Sequence, residues 1–264
     1  MRTQKLLFNK IIVIQSLGVS DRKTGNTIYN DTLRYAGYKL EGFGVDFVEP
    51  QTKAELEYVL NVIANDAEKR RQWPFLHFEM HGTQTGMEIA NGEFITWLEL
   101  YKFLVKINES SRHNLFVSLA CCFGAYIFDI IDPTKRAPFY CFLGPSKEIK
   151  AWKLEENFTN FFSTLIETTD INCAIDALNG DSEEKYIWYD SEHVFDLIMN
   201  GWKNLSSSSV YKRQKLHQFA QVNKGTQNSR LRRQSAKEAL NNQQKNALQM
   251  KRYFLFQSDI QFQH

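Results

Sequence analysis

Residues 73–82 read WPFLHFEMHG, and residues 114–124 read NLFVSLACCFG. Each opens as an apolar run of strand length and closes on chemically useful residues, His81-Gly82 in the first and Cys121-Cys122 in the second. A short apolar run bounded by turn residues reads as a buried strand. In 114–122 the run is interrupted only by Ser118, as expected of a strand covered on both faces. Such strands belong to largely parallel sheets, whose functional residues gather at the carboxyl ends. Both reactive pairs lie at such ends.

The flanking sequence agrees. IIVIQSLG (11–18) is another buried strand, closed by Gly18, and a Gly-, Asn- and Asp-rich stretch then leads through a loop and short helix to a strand near 44–48. Thr52 with Glu55 has capping-box spacing, and Leu56, Val59, Leu60, Ile63 and Ala64 fall at helical intervals, predicting a helix to about residue 71. MEIANGEFITW (87–97) places Asn91-Gly92 between two short alternating runs, a hairpin signal. A helix over 97–108, a strand over 138–145 and an amphipathic helix over 158–167 follow. Strands alternating with helices give an α/β sandwich with a mostly parallel central sheet.

With 264 residues, 43% hydrophobic and 14% aromatic, the chain has the material for a substantial core. No stretch approaches the roughly 18 uncharged apolar residues of a membrane span, and Asn9 and Lys10 break the apolar run near the start. Four cysteines are too few for a disulfide framework, none stands in a C-x-x-C pair, and neighbouring Cys121 and Cys122 cannot readily bridge each other. Reduced thiols point to a cytoplasmic location. Charge is unevenly divided: residues 206–264 hold 11 Lys/Arg against 2 acids, a net +9, while 1–205 carry a net −7. From Ser206 the texture turns Gln-, Asn-, Lys- and Arg-rich, so the chain divides into a body, 1–205, and a basic helical C-terminal extension, 206–264. The closing YFLFQSDIQF is apolar enough to dock.

A cysteine nucleophile needs an ionisable thiol, a histidine that protonates the leaving amine, and N–H groups aimed at the oxyanion. His81, the unobstructed N–H of Gly82, and the thiols of Cys121 and Cys122 supply these on neighbouring strand ends. Against this stands the tendency of free cysteine to be inert core filler, the reading given to Cys141 and Cys173. His77 shares a strand face with His81, but no third metal ligand recommends itself, and a satisfied core histidine is the better reading. Neither a metal nor another cofactor is expected. The loop 82–86 lacks the Lys-Ser/Thr ending of a P-loop, and Glu88, Glu93 and Glu99 read as a solvated rim.

LHFEMHG followed some 40 residues later by NLFVSLACCFG resembles the caspase-like cysteine peptidase superfamily, most closely CHAT-type domains (caspase/separase/gingipain-like). FTNFFSTL and NCAIDALN extend the likeness to roughly residues 10–180. The resemblance implies a caspase-like three-layer sandwich and a His-Cys dyad that hydrolyses a peptide bond in a protein substrate, with Gly82 in the oxyanion hole. Aligned on Q-A-C-R-G the nucleophile is Cys122; aligned on A-C-x-x-G it is Cys121. It also implies control by an activating or inhibitory protein partner, as in effectors of bacterial antiphage defence. The alternative is a catalytically silent scaffold of the same fold. For the basic tail three readings stand: a solvated helix, a nucleic-acid or anionic-surface binder, and a partner-docking segment.

Overall fold

The computed structural model describes residues 7–40, 42–180, 186–207 and 246–257. They fall into two compact units: one formed by residues up to 131 and by 137–191, the other by 132–136 and the residues from 192 onward.

The first unit is built on one sheet. Its six main strands, β1 (Lys10–Ser16), β2 (Gly44–Val48), β3 (Pro74–Gly82), β6 (Phe116–Ala120), β7 (Cys141–Pro145) and β8 (Tyr186–Asp190), stand in the order β2-β1-β3-β6-β7-β8. All neighbours are parallel except β7 and β8. A hairpin of β4 (Gly86–Glu88) and β5 (Phe94–Thr96) continues from β3, with Glu88 opposite His81. Its turn spans residues 89–93, closed by Ile89 N–H to Glu93 O and Gly92 N–H to Ile89 O, both 2.8 Å. Gly92 supplies the positive φ of 85° that makes Asn-Gly a turn signal.

Side chains alternate across the sheet, so each strand feeds two cores. On one face Ile11, Val13, Phe75, Phe116 and Leu143 pack with Phe158, Phe161, Phe162 and Leu165 of α5 (Ala151–Thr168) and Leu178 of α6 (Ile171–Asn179). The alternate residues Ile12, Ile14, Leu76, Phe78, Val117 and Leu119 are also buried. They project to the face of α3 (Lys53–Arg70) and α4 (Trp97–Ser110), helices that pack on each other.

Helix ends follow local chemistry. The Thr52 hydroxyl accepts the Glu55 N–H, while the Glu55 carboxylate reaches Gln51 N–H rather than Thr52 N–H, one residue earlier than a capping box requires. Thr96 and Glu99 form the full reciprocal box at the start of α4. α5 begins at Ala151, seven residues before the expected 158, and Lys150 gives it no side-chain cap. β7 begins at Cys141 rather than 138, because Pro138 has no N–H and the Tyr140 N–H donates to Leu115 O at 2.7 Å.

In the second unit α7 (Ser191–Ser207, which enters it at Glu192) meets a helical segment at 246–254. Phe195 and Phe254 rings lie 5.4 Å apart, and Lys251 Nζ pairs with Glu192 at 2.8 Å and Asp196 at 3.0 Å. The Arg136 guanidinium stacks on Tyr253 and Phe256 at 4.3 and 4.6 Å. Most of the extension expected over 206–264 lies outside the described residues, as does the question of what its basic run binds.

Candidate active site

The site stands at the carboxyl ends of β1, β3 and β6. Beyond β1 the chain turns at residues 18–21: Asp21 N–H donates to Gly18 O at 3.1 Å, and Gly18 N–H donates to Asp21 Oδ2 at 2.7 Å. The same carboxylate oxygen lies 3.0 Å from His81 Nε2. The bond to His81, joined by that from Gly18 N–H, holds the Asp21 carboxyl below its ordinary range. An imidazole donating from Nε2 to a carboxylate leaves the Nδ1 lone pair available when neutral. Nδ1 has no partner among the described residues, and the His81 side chain is 59% exposed.

Gly82 explains how the two strand ends meet. A Cβ there would collide with the carbonyl oxygen of Cys122 and lie 3.0 Å from Cys121 Cβ. Only glycine lets the end of β3 rest on the cysteine pair. After β6 the backbone turns through Phe123, a non-glycine residue at φ 59°, ψ 20°, into a 3-10 helix (Gly124–Ile130). The left-handed conformation costs about 1–2 kcal/mol, a strain typical of functional turns.

The two thiols differ. Cys121 is 1% exposed, and burial, then the neighbouring Cys122 and Glu79, push its thiol well above the usual range. Cys122 is half-buried, its Sγ 3.8 Å from Ile149 O in the segment after β7. Cys141 is buried as core filler should be, but Cys173 is exposed on α6 and is not the core filler expected of it; all four thiols are free.

Beneath the surface residues lies a buried polar layer. His77, fully buried between the Phe158 and Phe162 rings, meets Ser118 Oγ at 2.6 Å through Nδ1 and Glu79 Oε1 at 2.9 Å through Nε2. Its partners are therefore internal, and no group of three metal-binding side chains is found among the described residues. Of the expected rim glutamates, Glu88 and Glu93 are exposed, Glu93 also accepting the Lys53 N–H at 2.8 Å, whereas Glu99 is half-buried, caps α4 and pairs with Lys53 at 2.7 Å. The 82–86 loop is held by Thr83 N–H to Gly86 O and Trp97 Nε1–H to Gln84 O, with Thr83, Gln84 and Thr85 exposed. A hollow lined by Ile12, Val48, Ile63 and Pro74 lies near the amino-terminal ends of β1 and β3, away from this site.

Asp21 was not among the residues singled out from sequence. Its signal was present: an Asp three residues after Gly18, which closes a strand at the same sheet end as His81.

A mostly parallel central sheet flanked by helices gives the chain a caspase-like α/β fold. The crystal structure of the Drosophila initiator caspase Dronc superimposes with a TM-score of 0.50, over 72% of this chain and 82% of that one, at 8% identity. No protein-family model and no curated protein matches the sequence. Among the described residues no helix is long and apolar enough to cross a membrane.

Proposed function

We propose that the protein is a caspase-like cysteine endopeptidase of CHAT type, with Cys122 as nucleophile and His81 as acid and base. The observation that carries this is the seating of Gly82 on the Cys121-Cys122 backbone, beside a histidine whose far nitrogen is held by Asp21. Cys122 is favoured over Cys121 because a nucleophile must ionise and meet substrate, and Cys121 is enclosed.

His81 Nδ1 takes the thiol proton, and the thiolate attacks a peptide carbonyl carbon, forming the C–S bond. The N–H groups of Gly82 and Cys122 receive the developing oxyanion. As the C–N bond breaks, His81 passes its proton to the departing amine. Water, deprotonated by His81, then attacks the thioester, and the proton returns to the sulfur as acid product leaves. Asp21 keeps the ring oriented and compensates its positive charge.

A protein substrate, control by a protein partner, and a role like that of bacterial antiphage effectors accord with the family resemblance. A reducing cytoplasmic setting accords with four free thiols. The test is cleavage of an unbiased peptide library by the protein and by Cys121→Ala, Cys122→Ala and His81→Ala. Loss of about a thousandfold or more is expected for the last two and little for the first. Full activity in His81→Ala, or in both cysteine variants, contradicts the dyad, and an inert wild-type chain favours the silent scaffold.

A further inference from the structure

We infer that the buried hydrogen-bonded chain Thr24–Glu79–His77–Ser118 is a positioning element that sets Asp21, His81 and Cys122 in register with one another. The inference rests on the site assignment just given, but its primary readout does not depend on catalysis.

The chain is continuous. Thr24 Oγ1 donates to Glu79 Oε2 at 2.6 Å, Glu79 Oε1 meets His77 Nε2 at 2.9 Å, and His77 Nδ1 meets Ser118 Oγ at 2.6 Å. All four residues are at most 3% exposed. A carboxylate and an imidazole taken out of water are costly unless each polar atom is partnered. Here both carboxylate oxygens and both ring nitrogens are. With His77 neutral, Nε2–H donates to Glu79 and Ser118 O–H donates to Nδ1; with His77 protonated, both nitrogens donate. In either state the chain stays closed.

Each link sits a few residues from one member of the surface site. Thr24 is three residues beyond Asp21, Glu79 two before His81 on the same face of β3, and Ser118 four before Cys122. The chain thus joins the three segments that deliver the three site residues. Hydrophobic packing alone would permit small slides between them; fixed donor and acceptor geometry does not.

Two further contacts press the Asp21-bearing segment onto the chain. A Cβ at Gly25 would come within 2.8 Å of Glu79 Cγ and 3.1 Å of Val13 Cγ1, so glycine is what allows the short helix α1 (Thr24–Ile28) to approach. Buried Gln15, opposite Glu79 in the β1–β3 register, accepts the Asn26 N–H at 3.0 Å and donates to Glu49 at 2.9 Å. Together these hold the start of α1, and Asp21 just ahead of it.

The test uses the full chain at one fixed pH, with Thr24→Val, Ser118→Ala and the conservative Thr24→Ser. Thermal melting establishes that each variant folds. The 15N chemical shifts of the His81 ring report its tautomer, and iodoacetamide labelling followed by peptide mass spectrometry reports the reaction rate of Cys122. Thr24→Val is expected to erode the Nε2–H tautomer of His81 and slow Cys122 by about tenfold or more, as small misplacements of reacting groups do. Thr24→Ser restores both, and Ser118→Ala slows Cys122. Folded Thr24→Val and Ser118→Ala proteins with an unchanged tautomer and labelling within about twofold of wild type would overturn the inference. If His81→Ala leaves Cys122 labelling unchanged while Thr24→Val still shifts the tautomer, the positioning chain stands and the peptidase reading falls.

Discussion

Gly82 matters more than either His81 or Cys122, because its missing side chain is what lets the end of β3 rest on the Cys121-Cys122 backbone. Gly82→Ala must push the end of β3 off the Cys122 carbonyl. We expect a stability loss of about 1–3 kcal/mol, as for other overpacked sites, measurable by urea unfolding. On the proposed peptidase reading, activity should fall much further than this, since the Gly82 N–H and His81 would retreat together. At this scale the sequence was informative about position, placing His81 and Gly82 at the end of a strand, where β3 has them. It did not distinguish Cys121 from Cys122, because periodicity marks both as the end of one apolar run. Burial does distinguish them, and it depends on the turn through Phe123 and on the segment around Ile149 some 27 residues later. Asp21 escaped for a similar reason: its partner His81 is 60 positions away.

Among elements, α4 makes the clearest prediction. The Glu99 carboxyl is drawn down to about 2, chiefly by its bond to Lys53 and then by the Thr96 N–H and hydroxyl. A depressed folded value means the stabilisation is fully present above the unfolded carboxylate value of about 4.3 and is lost as pH falls toward 2. The Glu99 side chain is 39% exposed, so solvent screening limits the effect to about 1 kcal/mol. Melting temperatures of wild type and Glu99→Gln should therefore differ at pH 7, draw together as pH falls below the unfolded value, and converge only at about pH 2; a constant gap would exclude the carboxylate as its source. Elements with strong local signals were legible, such as α3, framed by Thr52 and by Arg71 at φ 54°. The start of α5 was not, since Lys150 provides no cap and Ala151–Glu156 mixes charge with scattered apolar residues. Nor was β8, a five-residue antiparallel edge strand whose pairing with β7 is a tertiary fact.

For the whole molecule, strand order is what makes a site out of dispersed residues. In the order β2-β1-β3-β6-β7-β8, strands β1, β3 and β6 are adjacent and parallel, so their carboxyl ends bring residue 21 beside residue 81 and residue 82 onto 121–122. Alternating strands and helices foretold a mostly parallel sheet, but not which strands would adjoin. The unequal charge of body and tail remains a sequence property, because residues 208–245 lie outside the described structure. The central claim, a thiol activated by His81 at one end of this sheet, is tested most directly by timing iodoacetamide labelling of all four cysteines in the native full-length protein and in His81→Ala, residue by residue. The account predicts that half-buried Cys122 reacts faster than exposed Cys173 and loses that advantage without His81, while Cys121 and Cys141 stay slow. Labelling that simply follows exposure, with Cys173 fastest in both proteins, would contradict it.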